Sequence, residues 1–120
     1  MKNILITEDE PMILELLEEL FIYSNKFSKV FKASNGREAL DILRNEDIHV
    51  LLTDINMPII NGIELIHIVE KEKLINNIFA MSGNLENKKK LLLNKDIRGF
   101  FSKPIVDMEE LINKILNNLI

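Results

Sequence analysis

Five residues of this 120-residue chain could assemble a chemical site: Glu8, Asp9, Asp54, Ser82 and Lys103. Each closes a short apolar run. Glu8 and Asp9 come just after Ile4-Leu5-Ile6, Asp54 just after Val50-Leu51-Leu52, and Ser82 after Ile78-Phe79-Ala80-Met81. Lys103 follows Phe100-Phe101, with Pro104 next. Singly these residues are ordinary: Asp9 alone reads more often as a helix N-cap than as a ligand, and a lone Lys103 as a surface charge. Together, the three carboxylates repel one another, which raises their pKa values unless a cation intervenes. A hard divalent ion such as Mg²⁺ is the economical answer, since it takes one or two carboxylates, accepts carbonyl oxygens and keeps several waters.

The apolar runs have the length and character of strands buried on both faces of a parallel sheet, with Val30-Phe31 as a weaker member. Segments with helical spacing lie between them. Met12, Ile13, Leu16, Leu17, Leu20 and Phe21 mark the first helix, and Ala39, Leu40 and Leu43 the second. Ile63, Ile66 and Val69 mark the third, while Leu111, Ile112, Ile115, Leu116 and Leu119 line the last. Asn35 with Glu38, Asn61 with Glu64 and Asp107 with Glu110 have capping-box spacing, and Pro11 suits a first helical turn. Between Asn84 and Lys95, around Lys88-Lys89-Lys90 and Leu91-Leu92-Leu93, the pattern predicts a short helix with one buried edge.

The sum is a βα repeat of about five units. Right-handed crossovers turn such a repeat into an open, doubly wound parallel α/β sheet with helices on both faces. Ligands bind such sheets beyond the carboxyl ends of the strands, which is where the five residues fall.

Composition closes off other classes. With 47% hydrophobic and 28% charged residues the chain can bury a core and is not disordered. A net charge of -4 argues against a general nucleic-acid-backbone binder, and no recognition helix follows. Zero cysteines exclude disulfides and thiolate metal sites, fitting a reducing compartment. The longest charge-free stretch, Leu74 to Leu85, is too short and too rich in Asn for a membrane span. His49 and His67 stand isolated, without a second nitrogen at ligand spacing, and read as scaffold. The expectation is one cytoplasmic domain over residues 1–120.

Four motifs carry a resemblance that spans nearly the whole chain. They are Ile4-Leu5-Ile6-Thr7-Glu8-Asp9-Glu10, Asp54-Ile55-Asn56-Met57-Pro58 with Gly62 behind it, Met81-Ser82-Gly83, and Gly99-Phe100-Phe101-Ser102-Lys103-Pro104. In this order the set resembles the receiver domain of two-component response regulators, especially stand-alone receivers of the chemotaxis type. The resemblance, and not the residue pattern, implies the strand order 2-1-3-4-5.

It further implies that Asp54 accepts a phosphoryl group from a sensor histidine kinase, a phosphotransfer protein or a small donor such as acetyl phosphate. Glu8, Asp9, Asp54 and the Asn56 carbonyl are implied to hold Mg²⁺, with Glu8 acting through water. Lys103 is implied to pair with Asp54 and then with the phosphoryl group, ahead of a cis bond to Pro104. Ser82 and Phe100 are implied switch residues, moving the face of helix 4, strand 5 and helix 5 toward a separate output protein. Phe100 reads equally well as a plain core aromatic. Asn56 and Asn84, two residues past Asp54 and Ser82, imply slow-to-moderate self-dephosphorylation.

The sequence departs from the family pattern at Phe100, often Tyr, and at Thr7 and Thr53, where aliphatic residues are expected. A Toprim-like Mg²⁺-dependent phosphoryl-transfer enzyme wants an Asp-x-Asp pair, against Asp54-Ile55-Asn56 here. A nucleotide-binding flavodoxin-like domain wants a phosphate loop where Glu8-Asp9-Glu10 would repel phosphate. A phosphorelay intermediate and a non-phosphorylated scaffold receiver are the alternatives within the family. If 120 residues are the whole product, only one helix follows Lys103-Pro104, and the signal leaves a monomer by docking to another protein.

Overall fold

Alternating apolar runs and capped amphipathic segments produce five strands and five helices in unbroken β–α order. The computed structural model describes residues 1–120, with all side chains except those of Leu85 and Leu92. The elements are β1 (Ile4–Thr7), α1 (Pro11–Ser24), β2 (Val30–Ala33), α2 (Gly36–Asn45), β3 (Val50–Asp54), α3 (Gly62–Lys71), β4 (Asn77–Ser82), α4 (Leu85–Leu92), β5 (Ile97–Ser102) and α5 (Met108–Asn117).

All strand pairs are parallel, in the order β2-β1-β3-β4-β5. This is the doubly wound order that the resemblance implies. Alternation along β1 shows how the sheet serves two cores. Ile4 and Ile6 point to the layer containing Leu17, Phe21, Leu111 and Ile115, on α1 and α5. Leu5 points to the opposite layer, with Leu40, Leu65, Ile66 and Val69 on α2 and α3. The strands β1, β3 and β4 are buried throughout, as expected. The edge strands β2 and β5 are only partly covered, as the weak Val30-Phe31 run implies for β2, and for β5 this corrects the expectation of burial on both faces.

The helix starts are built as read. The side chains of Asn35, Asn61 and Asp107 accept the backbone N–H groups of Glu38, Glu64 and Glu110 at 2.9–3.0 Å, and Pro11 opens α1. The buried faces differ from expectation in two helices. In α1 the buried residues are Leu14, Leu17 and Phe21, while Met12 is 84% and Leu16 53% exposed. Outside the face of Glu15, Glu18 and Glu19 the segment is apolar all round, so periodicity offers a stripe too wide to bury and sheet packing selects part of it. In α3, Leu65 is buried and Ile63 faces outward. In α4, Leu91 is buried and Leu93 exposed; the expectation for Leu92 lies outside the described residues.

Asn77 opens β4 one residue before the apolar run, and it is buried. Its side chain accepts the N–H of Ile120 at 2.9 Å and donates to the Ile120 carbonyl at 3.2 Å, pinning the segment after α5. His49 Nδ1 accepts the N–H of Asn3 at 2.9 Å, a scaffold role as read.

Candidate functional site

Parallel strands end on the same side, so register decides which side chains meet. Thr7 lies beside Thr53, which sets Glu8 next to Asp54 one residue on; Ser82 lies beside Ser102, which sets Lys103 next. Carboxylate oxygens of Glu8, Asp9 and Asp54 all fall within 4.8 Å of one another. Glu8 is fully buried and Asp54 is 3% exposed, while Asp9 sits at the rim. The sequence therefore placed the acidic cluster correctly.

Lys103 reaches across the sheet to both buried acids. Its ammonium lies 2.6 Å from Glu8 Oε1 and 3.2 Å from Asp54 Oδ2. The expected partner was Asp54 alone; Glu8 is the nearer one. The Lys103–Pro104 bond is cis, as implied. Burial by itself would lower the Lys103 pKa, but the Glu8 hydrogen bond and the Asp54 charge outweigh it and hold the pKa above its ordinary value. Asp9 is pushed up, first by desolvation and then by its hydrogen bond and like charge with Glu8.

Asp54 is oriented by its own chain. Its Oδ1 accepts the Ile55 N–H at 2.8 Å, and Thr53 Oγ1 donates to the Asp54 carbonyl at 2.9 Å. Gly62 is required at the start of α3. A Cβ there would run into the Asp54 carbonyl and come within 2.6 Å of Ile55 Cα, pushing the strand end that carries the acid.

Ser82 is buried and sits inside a set of amides. Its Oγ accepts the Asn84 N–H at 3.0 Å, the Asn87 side-chain amide at 3.1 Å and that of Asn56 at 3.5 Å. Asn87 was missed in the sequence. It is the third residue of a helix capped by Asn84, so its side chain turns back toward the strand ends, and that position is the signal that could have found it. Phe100 stands apart from the acids. It is half-buried against the core and lines an open groove with Lys88, Ile105 and Lys114. Phe101 stacks on Phe79 at 6.2 Å in the opposite layer.

Three carboxylates against one ammonium leave uncompensated negative charge, and every donor is a hard oxygen. That set fits Mg²⁺. Glu8, Asp9 and Asp54 are the residues that would hold it, while the Asn56 carbonyl rests on the resemblance alone.

An open 2-1-3-4-5 sheet with acids after β1 and β3, a hydroxyl after β4 and a lysine after β5 is the arrangement that the receiver resemblance implies. The family model described as the response regulator receiver domain matches residues 4–116, and the chain belongs to that family. Receiver domains are signalling switches rather than classical enzymes, and they bind Mg²⁺ at the acidic pocket.

The response regulator GtcR of Aneurinibacillus migulanus is 32% identical over 108 residues, which cover 90% of this chain and 44% of that protein. The response regulator SaeR of Staphylococcus aureus is 29% identical, covering 100% of this chain and 51% of that protein. The chain thus spans about half the length of the curated relatives it matches. The chemotaxis response regulator CheY4 of Vibrio cholerae superposes with a TM-score of 0.85 at 23% identity, covering 99% of each chain. Among the described residues, no helix is long and apolar enough to cross a membrane.

Proposed function

We propose that residues 1–120 act as one receiver unit, a phosphorylation-driven switch in which Asp54 is the phosphoacceptor. The observation that carries this reading is the setting of Asp54. One carboxylate oxygen is fixed by a backbone N–H, the other faces Lys103 at 3.2 Å, and two further acids lie within 4.8 Å.

In the reaction, a carboxylate oxygen of Asp54 attacks the phosphorus of a phosphohistidine or of acetyl phosphate. The O–P bond forms as the P–N or P–O bond to the donor breaks, and imidazole or acetate leaves with that electron pair. Mg²⁺ would be held by Asp9 and Asp54, with Glu8 acting through water, and would supply charge neutralisation for the transferred group. Lys103 moves its hydrogen bond from Asp54 to a phosphoryl oxygen, and Ser82 donates its hydroxyl to another. The added group brings about 1.5 to 2 negative charges, which is what biases the Ser82 loop and the Phe100 side chain toward a second arrangement. The α4–β5–α5 face then presents a different surface to a separate output protein.

The donor is a sensor histidine kinase or a phosphotransfer protein. Such a donor must cover Asp54 to reach it, and the rim beside the acids offers an apolar groove of about 350 Å³. Ile13 and Leu16 of α1 line it, facing Met81, Pro104, Ile105 and Met108. The zero cysteine count fits action in the reducing cytoplasm.

Incubation with Mg²⁺ and acetyl phosphate, followed by intact mass measurement, tests the reading. One labile phosphoryl adduct is expected, lost in Asp54→Asn and lost without Mg²⁺. No adduct from acetyl phosphate or from a charged phosphotransfer protein overturns it.

A further inference from the structure

A serine hydroxyl has two acceptor lone pairs and one proton to give. At Ser82 the two short contacts, from the Asn84 N–H at 3.0 Å and the Asn87 amide at 3.1 Å, occupy both lone pairs. Ser82 is 1% exposed, and among the described residues no acceptor takes its proton. The direction of the Asn87 amide is set by a second bond, since the same nitrogen lies 3.4 Å from Asn56 Oδ1. A nitrogen that faces two oxygens is the donor to both.

We propose that Asn87 is a positioning residue that commits the Ser82 hydroxyl to donation, so that its proton is free for a phosphoryl oxygen arriving on Asp54. Were the carbonyl oxygen of Asn87 turned to Ser82 in place of its nitrogen, the hydroxyl would spend its proton on that oxygen. With N–H donors on both lone pairs, the proton is held in the one remaining tetrahedral direction, where no acceptor among the described residues takes it. Asn87 is itself buried, and a buried amide in a helix is costly unless its hydrogen bonds are used. A simple tether between α4 and β4 would account for the burial, but not for the direction in which the protons run.

The inference rests on Asp54 being the phosphoacceptor, and the test separates the two. The rate of adduct formation with acetyl phosphate and Mg²⁺ is measured for the wild type, Asn87→Asp, Ser82→Ala and the double variant. Asn87→Asp keeps a hydrogen bond between the two side chains but makes it run backwards, with the carboxylate accepting the Ser82 proton. A tether survives that change; a committed donor does not.

The expected result is that Asn87→Asp slows the wild type about five-fold more than it slows Ser82→Ala, the equivalent of one neutral hydrogen bond. The Ser82→Ala background removes the effect of the added charge by itself. Asn87→Leu, similar in volume and without protons to donate, is expected to slow the wild type and leave Ser82→Ala unchanged, and it provides the measurement if the aspartate variant folds poorly. Equal slowing in both backgrounds overturns the role of Asn87 while leaving Asp54 as acceptor. A wild type that forms no adduct overturns both.

Discussion

Thr7 closes β1 one residue before the acids, fully buried, and its hydroxyl has no hydrogen-bond partner among the described residues. Its register neighbour Thr53 is equally buried but spends its hydroxyl on the Asp54 carbonyl. The two threonines that depart from the aliphatic pattern therefore differ in kind: one serves the site and the other is an unpaid polar group. An unsatisfied buried hydroxyl costs free energy that a methyl of the same shape does not. Thr7→Val is expected to stabilise the protein by about 1 kcal/mol, read in urea, or to raise the thermal midpoint by about 4 °C. An unchanged or lower midpoint would mean that this hydroxyl has a partner in solution. At this scale the sequence was informative wherever a residue type carries its own chemistry. Glu8, Asp9, Asp54 and Lys103 come together at the strand ends and Ser82 closes the neighbouring strand, whereas Asn87 was invisible because an asparagine in a polar helix looks like surface until the packing is known.

The helices show why amphipathic reading has a limit. In α2 the apolar residues Ala39, Leu40 and Leu43 form one stripe, and all three are buried as read. In α1 only Glu15, Glu18 and Glu19 form a polar face, the apolar residues wrap round most of the remaining arc, and the structure exposes Met12 and Leu16 at its edge. A wrong face in the reading thus marks a surplus of apolar surface on the molecule, and it borders the groove beside Lys103. Leu16→Glu is expected to leave phosphorylation by acetyl phosphate unchanged, because the small donor needs no docking surface. Transfer from a phosphohistidine protein should fall about ten-fold, equivalent to about 1.4 kcal/mol of lost apolar contact. A fall with both donors would instead place Leu16 in the support of the acids. The loop after β3 adds a feature that periodicity could not reveal: Ile59 has φ of 70°, a left-handed conformation that is uncommon for a β-branched residue.

For the whole molecule, the fold was legible because every level agreed: buried runs, caps and crossover rules all demand a parallel α/β sheet. The order of the strands was not, since neighbouring β1 and β3 are separated by α1, β2 and α2, and nothing local encodes that pairing. The packed acids also link global stability to pH. Asp9 has its pKa raised above 3.8 by desolvation and by Glu8, so the folded state binds more protons than the unfolded state just above that value. By linkage, the stability contributed by this group is greatest below 3.8 and is lost as pH rises through its folded pKa. Lys103 works in the opposite range: its pKa is raised above 10.5, so its contribution is intact at neutral pH and is lost only as pH climbs through that higher value. Mg²⁺ is therefore expected to raise the thermal midpoint at neutral pH, with the increase shrinking on acidification toward 3.8. Asp9→Asn should raise the midpoint in Mg²⁺-free buffer and blunt the response to the ion. A Mg²⁺ response that is independent of pH, or intact in Asp9→Asn, would mean that the ion binds elsewhere.

The pairing of Lys103 with Glu8 joins residues 95 positions apart. During synthesis, the acids after β1 wait for a lysine made 95 residues later, an interval of several seconds at roughly 5–20 residues per second. No fragment that lacks β5 can assemble the complete set of charges. On the proposed reading, a nascent receiver unit becomes chargeable only once β5 has been made and has joined the sheet.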